Sequence, residues 1–372
     1  VSTNNSTVGD VTVTATEGKV TLTKAGDATN VIDSGKDIVV TAINVVDPSN
    51  SKDEGDIDIN SSLNAAGAVT VHAYKADDVA TSKGDINIDG NVTAGTAVDI
   101  AASTGNVTIG GTNASKVQAG TTLAVKTLTD GDVAVTGQLV TTGADASTVT
   151  VSAKEGSVTL NKNDKTGDTV INSAKDVSIT ASDEKESGTD TDYDGNITVT
   201  GDITAATAAT LESTNGSVSL TGDLTANNGL AKITASDSSE DGTVGVGNIT
   251  VKGNVLSATN GVTINATQGN IQIGEATTTA SAVKAAKALE ITTTTAGSID
   301  VYGNLQTTDS TSGTVTVSAE NGSVSLTQAG TTLAENTPVA TEVINSANSV
   351  SITASDDIAD DDVLGDVAIT GN

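Results

Sequence analysis

Asp190, Asp192 and Asp194 stand at alternate positions in the stretch DTDYDG, which ends at Gly195. Carboxylates spaced this way converge on one side of an extended chain, and a following glycine allows the sharp turn that closes a calcium loop. The ninth and twelfth positions of the stretch are Thr198 and Gly201, where an EF-hand would end in Glu. Calcium is therefore the one cofactor these residues suggest, and none is required. The same corner of the repeat, between third and first strands, carries further acidic insertions: DPSNSKDEG from Asp47, SDSSEDG from Ser236 and SDDIADDDVLG from Ser355. Such loops either bind calcium and bridge neighbouring molecules, or simply carry charge that keeps flat β faces apart. The second account needs less of the sequence.

Other chemistry is sparse. There is no Cys, Met, Trp, Phe or Arg, and the rings are Tyr74, Tyr193, Tyr302 and His72. His72 lies between Val71 and Ala73 on an outward position, finds no partner in the local pattern, and is expected on the surface. No nucleophile motif, phosphate loop or Cys/His metal spacing occurs. Glycan-cleaving enzymes want clustered acids, Arg or Lys, and aromatic platforms; the expectation here is that the chain is not an enzyme. The net charge is -30 and all seventeen cations are Lys. That balance repels phosphate backbones and anionic lipid, so neither nucleic acid nor membrane insertion is expected. No apolar run approaches the roughly 20 residues of a membrane span.

The elements that position these residues are repeats. VTVTATEGKVTL from Val11 returns as VTVSAKEGSVTL from Val149 and VTVSAENGSVSL from Val315. GDINIDGNVTAGTAVDIAASTGNVTIG from Gly84 returns as GNITVKGNVLSATNGVTINATQGNIQIG from Gly247. The underlying unit has a first strand, G-[DNS]-[VI]-x-[VIL], a second, G-[DN]-[VIL]-x-A, and a third, [VL]-x-[VI]-x-[AST]. Each alternates apolar with polar, the signature of a strand with one buried face. Gly with Asn or Asp marks the turns between them. Third-strand triplets such as Val69/Val71/Ala73, Val98/Ile100/Ala102 and Val262/Ile264/Ala266 point inward, and thirteen such triplets occur. Hairpins do not explain a class that recurs at every third strand. The expected fold is all-β: a right-handed parallel β-helix (β-solenoid), three short strands per turn, about 13 turns. At one strand spacing per turn the rod is roughly 60 Å long. With few large side chains, only a narrow core of small aliphatic residues can be packed.

The register from Gly84 and its Gly-Asn turns resemble the repeats of filamentous-haemagglutinin-like large exoproteins. That resemblance covers nearly the whole chain. It implies a bacterial surface adhesin, many of whose kind leave the cell by two-partner secretion, with a right-handed β-helix as its rod. An extracellular or cell-surface location follows from the same likeness.

The sequence ends are in phase. Val149 lies twelve residues after Gly137 and Val315 twelve after Gly303; joining Asn372 to Val1 puts Val11 twelve after Gly371. No pattern for a capping helix is visible at either end. The expectation is one solenoid rod over 1–372, uncapped at both ends, serving as a unit of a longer array. Its partners are then copies of itself, head to tail, as one polypeptide or as stacked subunits, and a host or neighbouring cell surface. The function expected is an extracellular structural filament or adhesin stalk. The alternative is an adhesive binding module that uses its acidic corner loops.

Overall fold

Short Val, Ile, Leu and Thr runs with strict alternation cannot hide one face alone, so each must lie against another strand and a core. In a computed structural model they do so in parallel. The structure describes residues 1–3, 9–24, 26, 29–43, 55–77, 79, 82–111, 115–143, 147–163, 167–183, 195–237, 247–275, 281–328, 342–356 and 365–371. Among them there is no α-helix. The fold is an all-β parallel solenoid.

Two compact units divide the chain, Val1–Ser182 and Asp183–Asn372. In the first, the third strands stack in sequence order: Val11–Ala15, Ile38–Ala42, Val69–Ala73, Val98–Thr104, Leu123–Asp130, Val149–Lys154 and Val177–Ser182. In the second, Ala209–Thr214, Ala231–Ser236, Val262–Gln268, Leu289–Ala296, Val315–Ala319 and Val350–Ala354 do the same. Between Val149–Lys154 and Val177–Ser182 register is kept residue for residue: Val149 faces Val177, Val151 faces Ile179 and Ala153 faces Ala181. Val69, Val71, Val98, Ile100, Val262 and Ile264 are all buried. Burying each such side chain contributes on the order of 1.5–3 kcal/mol before conformational entropy is counted.

The first and second strands form the other walls. Two of them are fused in each unit. Val133–Thr141 pairs with Val107–Ile109 and Val158–Asn161 through its first half, and with Ser115–Ala119 and Thr169–Ser173 through its second. Ile299–Thr307 repeats this in the second unit. The bends are Gly137 and Gly303, where a Cβ would stand 1.9 Å from the Ser115 carbonyl oxygen and 1.8 Å from that of Ser281.

Close approach also explains most corner glycines. A Cβ on Gly84 would lie 2.3 Å from the Gly55 oxygen, one on Gly131 2.3 Å from the Gly105 oxygen, and one on Gly322 2.3 Å from the Gly297 oxygen. Glycine stacks on glycine, layer on layer. The expectation that these glycines supply positive φ holds at Gly131 (133°) and Gly297 (140°). It does not hold at Gly84 or Gly322, where lack of space is the reason.

Candidate functional site

Except after Gly18, where it is Lys19, the residue after each corner glycine is Asp, Asn or Ser, and its side chain works between layers. The Asp85 N–H donates to Asp56 Oδ1 (3.0 Å), Asn106 N–H to Asp85 Oδ1 (2.7 Å), Asp132 N–H to Asn106 Oδ1 (2.8 Å) and Ser157 N–H to Asp132 Oδ1 (2.8 Å). In the second unit Ser217 donates to Asn196, Asn270 to Asn248 and Ser298 to Asn270 in the same way. A second ladder runs along the turn into the second strands, where Lys116 N–H donates to Asn91 Oδ1 and Asn254 N–H to Asp223 Oδ1. Backbone donors at a corner have no sheet partner, and these side chains supply one. The ladder carboxylates Asp56, Asp85, Asp132 and Asp223 are therefore structural.

One cluster on the outer face of the first unit has more chemistry. His72, Asp99 and Lys126 lie on three consecutive paired strands, Val69–Ala73, Val98–Thr104 and Leu123–Asp130. In register, Asp99 faces Thr70 and Ala124, so the charged groups meet on the diagonal. His72 Nε2 is 2.9 Å from Asp99 Oδ2, and Lys126 Nζ is 2.8 Å from Asp99 Oδ1. An ionised carboxylate only accepts, so the imidazole presents its proton on Nε2. Tyr74 stacks on the His72 ring with centroids 4.7 Å apart and planes inclined by 23°.

Burial pushes the Asp99 carboxyl up, but hydrogen bonds from His72 and Lys126 outweigh it and hold the group below the usual carboxylate range. Burial, with the Asp99 charge, pushes the Tyr74 hydroxyl up. Ala101 lies between His72 and Lys126 in register. It is fully buried, although its position alternates outward. Its small side chain leaves room for two long neighbours. The sequence expectation of an unpartnered surface His72 is thus corrected: the imidazole is clasped to a carboxylate 27 residues away. Only the layer register brings the two together.

In the second unit Asp300 faces outward from Ile299–Thr307, between Gln272 and Ser325 in register. No ion pair or hydrogen bond reaches its carboxyl among the described residues, and burial alone pushes it up. Lys232–Glu212 (3.2 Å) and Lys252–Glu275 (2.6 Å) are the cross-layer ion pairs described there.

Asp190, Asp192 and Asp194 lie outside the described residues, as do 47–54, 238–242 and 357–364 of the acidic insertions. Among the described residues no group of three or more His, Asp or Glu side chains is placed to hold a metal ion, and no helix is long and apolar enough to cross a membrane. Asn91 and Asn196, which head Asn-x-Thr sequons, both have their side-chain oxygens engaged in the corner ladders.

No family model matches this chain, and neither a curated protein nor a solved structure matches it.

Proposed function

We propose that this protein is an extracellular structural filament or adhesin stalk, extended by adding strand layers end to end. The observation that carries the reading is the way layer joins layer: strands pair in parallel, and Asp56, Asp85, Asn106 and Asp132 each accept an N–H from the following layer. Contacts that repeat from layer to layer extend a solenoid by simple addition. Among the described residues the clasp of His72, Asp99 and Lys126 ties three layers together in the same way. The chain's role is mechanical, a stiff spacer that holds a surface away from the cell or ties cells together. The resemblance to large exoprotein repeats supports the same reading.

Electron microscopy of the native material tests it. Continuous threads with an axial period of roughly 60 Å, one strand spacing per turn, are expected. Isolated particles at all concentrations would reject the filament. Deleting the acidic insertions separates the adhesive alternative: threads that persist while attachment is lost would favour a binding role for the loops.

A further inference from the structure

Four Asn-Gly pairs occur in the chain, at Asn215, Asn228, Asn260 and Asn321, all of them in the second unit. A following glycine has no Cβ to shield its peptide nitrogen, so each pair can close the same five-membered ring. The structure separates them. Three have the carboxamide tied to the preceding layer. Asn215 Nδ2 donates to the Asp183 carbonyl (2.6 Å), Asn228 Nδ2 to that of Ala206 (3.0 Å) and Asn321 Nδ2 to that of Thr295 (2.8 Å). Asn215 is also buried, and the Gly322 N–H is engaged by the Ser355 carbonyl (3.2 Å).

Asn260 is different. It lies half-buried in the corner between Val255–Ser257 and Val262–Gln268. No hydrogen bond holds its Nδ2 among the described residues. Instead the Gly261 N–H donates to Asn260 Oδ1 itself (3.1 Å). The main chain around this contact is fixed. The Asn260 N–H donates to the Ser257 hydroxyl (3.2 Å), which in turn donates to the Gly229 carbonyl (2.7 Å). The Lys287 N–H donates to the Asn260 carbonyl (3.0 Å) and the Ala231 N–H to that of Gly261 (3.2 Å). The backbone is thus anchored on both sides, and the carboxamide is left to turn beside the nitrogen that can attack it.

We propose that Asn260 is a site of spontaneous deamidation, selected by this geometry from the four pairs. Solvent hydroxide takes the Gly261 amide proton. The nitrogen forms a bond to Asn260 Cγ, the Cγ–Nδ2 bond breaks, and Nδ2 leaves as ammonia after taking a proton from water, which restores the hydroxide. Water then adds to either carbonyl of the succinimide and opens it to aspartate or isoaspartate. Both products add one negative charge to the corner, and isoaspartate also lengthens the main chain by one methylene ahead of Val262. The fraction converted records the age of the folded molecule. The inference stands apart from the filament reading.

The full chain, kept folded at mildly alkaline pH and sampled over weeks, is digested in acid and read by mass spectrometry, with fragmentation that tells aspartate from isoaspartate. Asn260 should exchange NH2 for OH at least ten-fold faster than Asn215, Asn228 and Asn321, because its reacting groups are already together. In urea the four should converge to within a few-fold, since each is followed by glycine. Asn260→Gln, which would need a larger ring, should remove most of the acidic species that build up on isoelectric focusing of the aged chain. An Asn260 no faster than the other three in the folded chain, or an undiminished acidic shift in Asn260→Gln, overturns the proposal.

Discussion

Asp99 and Asp300 both face outward from parallel strands, one in each unit, and their surroundings move them in opposite directions. Asp99 is held low by His72 and Lys126; Asp300 has no such partner and is pushed up by burial. The first unit carries 12 Lys against 22 Asp and Glu, the second 5 against 25. The inward rows of the two units are nevertheless alike, including the fused strands bent at Gly137 and Gly303. Inward residues and corner glycines thus fix the architecture, while outward charge varies with what the adjacent layers supply.

The largest effect should fall on what the units share. Gly131→Val and Gly297→Val each put a Cβ within 2.3 Å or less of the preceding corner oxygen, at a φ that β-branched residues avoid. Each should cost about 3 kcal/mol or more in denaturant unfolding; tolerance in one unit alone would break the likeness. Ile100→Ala and Ile264→Ala, at the same third-strand position and fully buried, should each cost about 2–5 kcal/mol.

Smaller effects should have opposite signs. Asp99→Asn removes a paired charge and should destabilise by about 1 kcal/mol after solvent screening. Asp300→Asn removes an unpaired one and should be neutral or stabilise by about 0.5 kcal/mol. Equal losses at both positions would mean that the pairing is not what separates them. The pH dependence follows the same signs. Asp99 is lowered in the folded state, so its contribution is present above the ordinary carboxylate pKa and is lost as pH falls toward its folded value. Asp300 is raised, so its charge penalises the fold at neutral pH, and that penalty lifts as pH drops through its folded pKa. The midpoint shift of each Asn variant against wild type, measured between pH 7 and pH 3, checks both.

The smallest effect is local. Asp309 accepts from the Thr311 N–H (2.8 Å), the Thr311 hydroxyl (2.6 Å) and the Ser312 N–H (3.1 Å), which hold its carboxyl down at about 2. Its contribution is therefore present above the ordinary carboxylate range and lost as pH falls toward 2. Amide exchange at Thr311 and Ser312 should quicken over that interval in wild type and already be fast at neutral pH in Asp309→Ala.

The walls were legible in the sequence because alternation and corner glycines are local signals. Val69/Val71/Ala73 and Val98/Ile100/Ala102 announce their own burial. The reason for the glycines was only half legible, since the clash of Gly84 with Gly55 is between layers. The clasp was not legible: His72 to Asp99 is 27 residues and Asp99 to Lys126 another 27, while other circuits run to 21, and only the register decides which outward residues become neighbours. Ala101 shows the same limit, buried by what flanks it rather than by its own period. Asp85 and Asn106 looked like turn residues and proved also to be acceptors for the next layer.

The glycine-on-glycine corners make length an adjustable trait. Residues 84–104 form one circuit of 21 residues, from one corner glycine to the residue before the next. Excising it would bring Gly105 over Gly55, with Val107–Ile109 following Ile57–Asn60 on its wall, and no new core would have to be invented. Recombination between such circuits can lengthen or shorten the molecule in whole increments, so its reach can change without a change in how it folds.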